Sequence, residues 1–355
     1  GPYPAPDAET AALHQSLSLV DLHADPLLWG RDLLKRSQYG QVDLPRLIEG
    51  NMALQVFGVV TQSPKGQNFT ENSADTDRIK LLVMAQHWPR KTWNSFLQRA
   101  LFQAERLNTL VNESAGQLRW VRNQNELQAL VSARANGETA VGALLSLEGA
   151  HALEGEPANV DVLFNAGFRM LGMAHFIDNA MSGSAHGTER AGLSDAGRKA
   201  LKRAQELGMV IDIAHSSASA VSEIFDLATA PLVVSHTGVK GTCDSPRNLT
   251  DDMLKRLKTN GGVAGIAMFP GAVCGKTIDH TVQAILHAAK VAGVEHVAIG
   301  VDFDGGVTTP IDVSGMHKLT AALRAAGLSD SDIKAISGGN ALRVFRQVLP
   351  TGTNP

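Results

Sequence analysis

Three features of the chain predict an α/β fold of the TIM-like (β/α)8 barrel type. Eight short apolar runs, two of them β-branched and closing at once on a histidine, are separated by helical or long connections, the pattern of buried parallel strands. Runs one, three, four, five, six and eight end in His, Asp or Glu, which describes a ring of polar groups. A doubly wound open sheet would gather them at one switch point instead. No Pro-, Gly- or Ser-rich linker and no repeat of solenoid period divides the 355 residues, so one barrel domain is expected over 17–348.

In chain order, residues 1–16 form a polar arm leading into a short helix. The first strand, 17–22 (LSLVDL), ends in His23-Ala24-Asp25. Pro26 favours a turn there that lets His23 and Asp25 reach one ion. The second strand is 53–61. A long helical insertion follows between strands two and three, about 62–139, with helical periodicity over 76–88, 91–112 and 124–136. The Leu, Met, Phe and Trp residues of these three helices read as packing faces. The third strand, 141–147 (VGALLSL), runs straight into Glu148, a carboxylate that burial makes costly unless it is paired or bound to a metal. The fourth, 170–174, ends at His175. The glycine-rich loop after it carries His186, expected as a solvated or hydrogen-bonding residue. Ser194 reads as the N-cap of a helix that Gly208 terminates. Strands five (210–213) and six (232–234) both close on a histidine, His215 and His236. The seventh is 262–268, and the eighth, 296–301, ends in Asp302-Phe303-Asp304-Gly305. A helix over 333–348 and a tail at 349–355 complete the chain.

Composition narrows the function. Hydrophobic residues make up 44% and charged residues 19%, enough to bury a large core. A net charge of −3 without a block of like charges argues against a nucleic-acid surface or a polybasic membrane anchor. No apolar stretch approaches the roughly 18 residues of a membrane span. Gly1-Pro2 has the form of a protease-cleavage scar, leaving room for a targeting segment that was removed. Cys243 and Cys274 cannot hold zinc by themselves; two buried thiols and one disulfide both fit.

The ring of His23, Asp25, Glu148, His175, His215, His236 and Asp302 is rich enough to serve two divalent metals, one carboxylate bridging. Nitrogen and oxygen donors without thiolate suit zinc, and manganese or cobalt fit as well. Two metals about 3.5–4 Å apart hold a hydroxide and polarise a carbonyl, the apparatus of hydrolysis. A lone Asp302 at the end of the last strand suits proton transfer.

The segments DLHAD, SLEGAH, MAHFIDNAMSGSAHG, GLSDAGRKALKRAQELGMVIDIAHSS, VVSHTGVKGTCDSPRNL, GVDFDG and GGNALRVF, in this order, resemble the renal or membrane dipeptidase family of zinc metallopeptidases, in a bacterial-type form. The resemblance runs over about 17–348. It implies an amidohydrolase-like barrel with a dinuclear zinc site that hydrolyses dipeptides. Carried over by motif, His23 and Asp25 would bind one zinc, His215 and His236 the other, and Glu148 would bridge them. His175 would contact the substrate carbonyl or the tetrahedral intermediate. Arg247 would grip the C-terminal carboxylate with its guanidinium fork. Asp302 would carry the proton from water to the leaving amine, while Asp304 and Asp244 are read as capping or loop-bracing residues.

The resemblance also implies a Cys243–Cys274 disulfide, and through it a periplasmic or secreted protein. Two departures bear on the substrate: Ala24 stands where relatives often carry Asn, and the 62–139 connection can reshape the pocket entrance. The expected function is a dipeptidase acting on a small dipeptide with a free C-terminal carboxylate. A tailoring enzyme of a peptide natural product on the same scaffold, or a metal-binding protein without turnover, are the alternatives. A homodimer is compatible with the sequence but not specified by it. Asn68, Asn112 and Asn248 begin Asn-x-Ser/Thr sequons.

Overall fold

Strands buried along their whole length take partners on both edges, and the chain provides them in order. The computed structural model describes residues 3–352; Gly1, Pro2 and the end of the tail at 353–355 lie outside the described residues. The strands are β1 (Leu19–Ala24), β2 (Met52–Val60), β3 (Leu118–Trp120), β4 (Val141–Glu148), β5 (Phe168–Gly172), β6 (Val210–Asp212), β7 (Val233–Thr237), β8 (Val263–Ile266) and β9 (Val297–Ile299). They pair in the order β1-β2-β4-β5-β6-β7-β8-β9, every pair parallel. Ala24 bridges to Phe303 across the remaining gap. There Asp302 N donates to His23 O at 3.1 Å and Asp25 N to Phe303 O at 2.9 Å, so the sheet nearly closes into an eight-stranded barrel. Closure falls at the carboxyl ends of the strands, the end where barrels of this type carry their chemistry.

The expected eight strands all form. β3 is an addition, lying within the insertion beside the first three residues of β4, with Leu118 opposite Val141. Three residues, only Leu118 of them buried, leave no apolar run for a sequence to display. The insertion otherwise holds the expected helices Arg78–Ala85, Phe96–Glu113 and Gln124–Ala135. The first packs Ile79 and Val83 with Leu28, Val60 and Trp88 above the carboxyl end of β2.

Helix Asp195–Glu206 starts where Ser194 accepts a hydrogen bond from Gly197 N, as its sequence predicts. Its end is set by Gly208 at φ +77°, a left-handed position that favours glycine. The last helix, Asn340–Val348, packs Ala341, Leu342, Val344 and Phe345 against Val20, Leu54, Val210, Val233 and Val263 near the amino ends of the strands. The opposite mouth is thereby left to the polar ring. No helix among the described residues is long and apolar enough to cross a membrane.

Candidate metal centre and active site

Every residue of the expected ring reaches one place. Glu148 is the last residue of β4, His23 lies in β1 with Asp25 one step beyond it, and His236 lies in β7. His175, His215 and Asp302 each sit three positions past the ends of β5, β6 and β9, at Gly172, Asp212 and Ile299. His215 (φ 63°) and Asp302 (φ 72°) are held in left-handed backbone, a cost that recurs where a fold aims functional groups.

The donors form two lobes that share Glu148. On one side His23 Nε2 lies 3.5 Å from Glu148 Oε2, 3.3 Å from Asp25 Oδ2 and 3.8 Å from Asp302 Oδ1. On the other, Glu148 Oε1 lies 3.2 Å from His215 Nε2, 3.4 Å from His236 Nε2 and 3.5 Å from His175 Nε2. The His215 and His236 Nε2 atoms are 3.1 Å apart. The rings of His23 and His236 stack across the boundary at 3.9 Å. Three ligand groups fall within metal-binding reach: His23/Asp25/Asp302, His23/Glu148/His236 and Glu148/His175/His215. Asp25 Oδ1 is buried without a hydrogen-bond partner among the described residues.

This close approach depends on Gly58 of β2, a residue with no polar signal in the sequence. A Cβ there would lie 2.5 Å from Asp25 Oδ1 and 2.6 Å from His23 Cε1.

Electrostatics point the same way. Burial pushes the pKa values of His175, His215 and His236 well below the usual histidine value, and Arg247 adds to this at His215 and His236. They are thus neutral imidazoles, the form that ligates metal. Burial opposes a charge on His23, yet the carboxylates of Asp25 and Glu148 hold its pKa well above normal. Burial raises Glu148 and raises Asp302 strongly; at Asp302 the neighbouring Asp25 and Glu148 add to the effect and His23 opposes it. Buried carboxylates and imidazoles gathered within ligand distance of one another are a donor set that fits a divalent metal.

Arg247 stands beside this cluster and is 4% exposed. Its Nη2 donates to His236 O, while Nε is buried without a partner. Its loop is pinned by Asn248, which accepts from Gly238 N at 2.9 Å and donates to Cys243 O and Ala272 O, both at 2.8 Å. Cys243 and Cys274 are joined in the disulfide that the resemblance implied. Asn248 is buried by these bonds, so its sequon is closed in the folded chain, whereas Asn68 and Asn112 are exposed.

Asp304 braces loops as expected, accepting from Gln41 N at 2.7 Å, Val42 N at 3.2 Å and Arg31 Nη2 at 2.5 Å. Asp244 is exposed and pairs with Lys240. Of the two expected states of His186, solvated or hydrogen-bonding, the structure takes the second: it is bonded to Phe69 O at 2.9 Å and fully buried. The loop around it folds over the insertion, a contact between distant segments that no local pattern reveals. A cavity of about 400 Å³ opens on the cluster, lined by Asp25, Glu148, His175, Arg247 and Asp302 and walled by Trp29, Phe69, Phe176 and Phe269 among others.

Comparison with known proteins shows the family and the fold. The family model of the membrane dipeptidases (peptidase family M19) matches residues 7–353. An uncharacterized dipeptidase of Schizosaccharomyces pombe is 34% identical over 222 residues, 60% of this chain and 54% of its own length. The match therefore spans about half of that relative. Dipeptidase verJ of Clonostachys rogersoniana is 31% identical over 71% of this chain and 66% of its own. Among solved structures, a probable dipeptidase, PvdM, from Pseudomonas aeruginosa superposes with a TM-score of 0.79 at 21% identity, covering 96% of this chain and 98% of that one. A metallopeptidase from Rhodobacter sphaeroides, solved with a phosphinate mimic of L-Ala-D-Ala, superposes at 0.75 and 22% identity over 94% of this chain and 99% of that one. At these identities the two superpositions establish a shared fold. On the family match, the chain belongs to the membrane dipeptidase family of metallopeptidases.

Proposed function

We propose that the protein is a dinuclear, zinc-dependent dipeptidase that hydrolyses small dipeptides with a free C-terminal carboxylate. The observation that carries this reading is Glu148, whose two oxygens face separate donor lobes beside the buried guanidinium of Arg247. His23 and Asp25 would hold one metal, His215 and His236 the other, with Glu148 shared. Bound metals supply a nucleophilic water and polarise the scissile carbonyl.

The chain's own residues do the rest. Arg247 pairs with the substrate carboxylate and fixes the peptide's register, the task for which a guanidinium fork is suited. His175, neutral and aimed at Glu148, contacts the carbonyl oxygen as it gains charge. Asp302 accepts the proton of the attacking water and passes it to the leaving amine nitrogen. The disulfide supports assignment to an oxidising compartment, periplasmic or secreted.

The test combines metal content with turnover on one purified sample. Elemental analysis should find about two metals per chain, and L,L- and L,D-dipeptides should be cleaved in a chelator-sensitive way. Two metals without cleavage of any dipeptide would redirect the search to peptide-derived natural products. No metal after reconstitution would remove the site itself.

A further inference from the structure

We infer that the site selects dipeptides whose C-terminal residue carries a large apolar side chain, and that Phe69 of the 62–139 insertion sets this preference; the inference rests on the dipeptidase reading above. Phe69, Phe176 and Phe269 all line the cavity. Their rings form one wall, with Phe69 centred 5.5 Å from Phe176 and 6.2 Å from Phe269, the latter pair stacked at 15°. Phe176 and Phe269 are buried, whereas Phe69 is half-buried and supplies the open part of the wall.

Phe69 belongs to a loop, yet it is built in. His186 Nδ1 is bonded to Phe69 O at 2.9 Å, and Asn72 donates to His186 O from N at 2.7 Å and from Nδ2 at 3.1 Å. Asn72 also donates to Asn68 O at 2.7 Å and accepts from Asn68 N at 2.9 Å, closing the turn around Phe69. The ring rests on the backbone of Gly271, where a Cβ would lie 2.5 Å from Phe69 Cε2.

The wall stands on the side of the carboxylate clamp. Phe176 directly follows His175, and its ring is centred 5.0 Å from that of His215. Phe269 leads into Pro270–Val273, which the disulfide to Cys274 and the Asn248–Ala272 hydrogen bond tie to the Arg247 loop. A dipeptide's carboxylate and its C-terminal side chain leave the same Cα. A carboxylate paired with Arg247 therefore delivers that side chain to the aromatic wall. The Asp25 and Asp302 carboxylates line the same cavity and favour the free amine of the substrate over an apolar side chain. Hydrophobic pockets discriminate by about 10–200-fold per methylene-sized change, so a phenyl or isobutyl group gains a readable preference here.

The experiment measures kcat/KM of the zinc-loaded wild type, F69A and F69L on Ala-Phe (L or D at the second position), Phe-Ala and Ala-Ala. The wild type should prefer Ala-Phe over Ala-Ala by about tenfold or more, mainly through KM. F69A should lose at least about tenfold more on Ala-Phe than on Ala-Ala, and F69L should recover most of the difference. Equal rates on Ala-Phe and Ala-Ala in the wild type overturn the inference. So does a preference for Phe-Ala, or an equal loss on both substrates in F69A. Cleavage of none of these dipeptides by the metal-loaded enzyme overturns the dipeptidase reading and takes this inference with it.

Discussion

Glu148 is the residue whose replacement should reach furthest, because each of its oxygens serves a different lobe. Glu148→Gln puts an amide N–H where an acceptor is needed, so elemental analysis should show metal lost from both sites. Asp302 sits beside only one lobe and beyond the shared carboxylate. Asp302→Asn should keep both metals while kcat falls by about 10²–10⁴-fold; near-normal turnover would refute its role in proton transfer. Gly58 makes the same point without a functional group. Gly58→Ala drives a methyl into His23 and Asp25 and should weaken metal binding by about 10–100-fold, read by competition with a chelator.

At the scale of elements, the loop after β7 matters most, because it presents Arg247 without being a regular structure. Its conformation is set by Asn248 and by a disulfide between residues 31 apart in sequence. Replacing both cysteines by serine should cost about 3–4 kcal/mol of stability from loop entropy in the unfolded chain, measured by denaturant titration. Asn248→Ala removes three loop hydrogen bonds. It should raise KM more than it lowers kcat, since it frees the clamp and leaves the metal ligands in place. The strand ends that carry histidine and acid were legible because an apolar run stops abruptly at a polar residue, as at Leu147-Glu148. β3 was not legible, since its one buried residue draws its partner from β4 and not from its neighbours.

The whole molecule responds to acid through groups buried far from the site. His14 is bonded through Nδ1 to Thr320 Oγ1 at 2.8 Å and through Nε2 to Gly50 O at 3.2 Å, so it joins the first helix to Gly50 and to helix His317–Ala325. Burial lowers its pKa to about 4. The unfolded chain binds this proton below about pH 6.5, the folded chain only near pH 4. The contribution is therefore present above pH 6.5 and is lost as pH falls towards 4, at about 1.4 kcal/mol per pH unit. Chemical denaturation between pH 7 and 4 should show this slope, and His14→Gln should flatten it. Equal slopes in the two proteins would discount His14.

Sequence by itself determined the barrel, the strand ends and the identity of the ring, because burial of parallel strands imposes a local apolar pattern and leaves polar residues only at their ends. His23, Glu148, His215 and His236 could be named for that reason, and Arg247 and the disulfide through ordered motifs. Tertiary structure alone decided what lies between those residues in space. It split the oxygens of Glu148 between two lobes, left no room for a Cβ at Gly58 and buried His186 against the insertion. It also made Phe69, which lies ahead of the insertion's first helix and carries no local signal, a wall of the cavity. The physical reason is that each of these properties belongs to contacts between segments tens to hundreds of residues apart. Such contacts leave no periodicity along the chain.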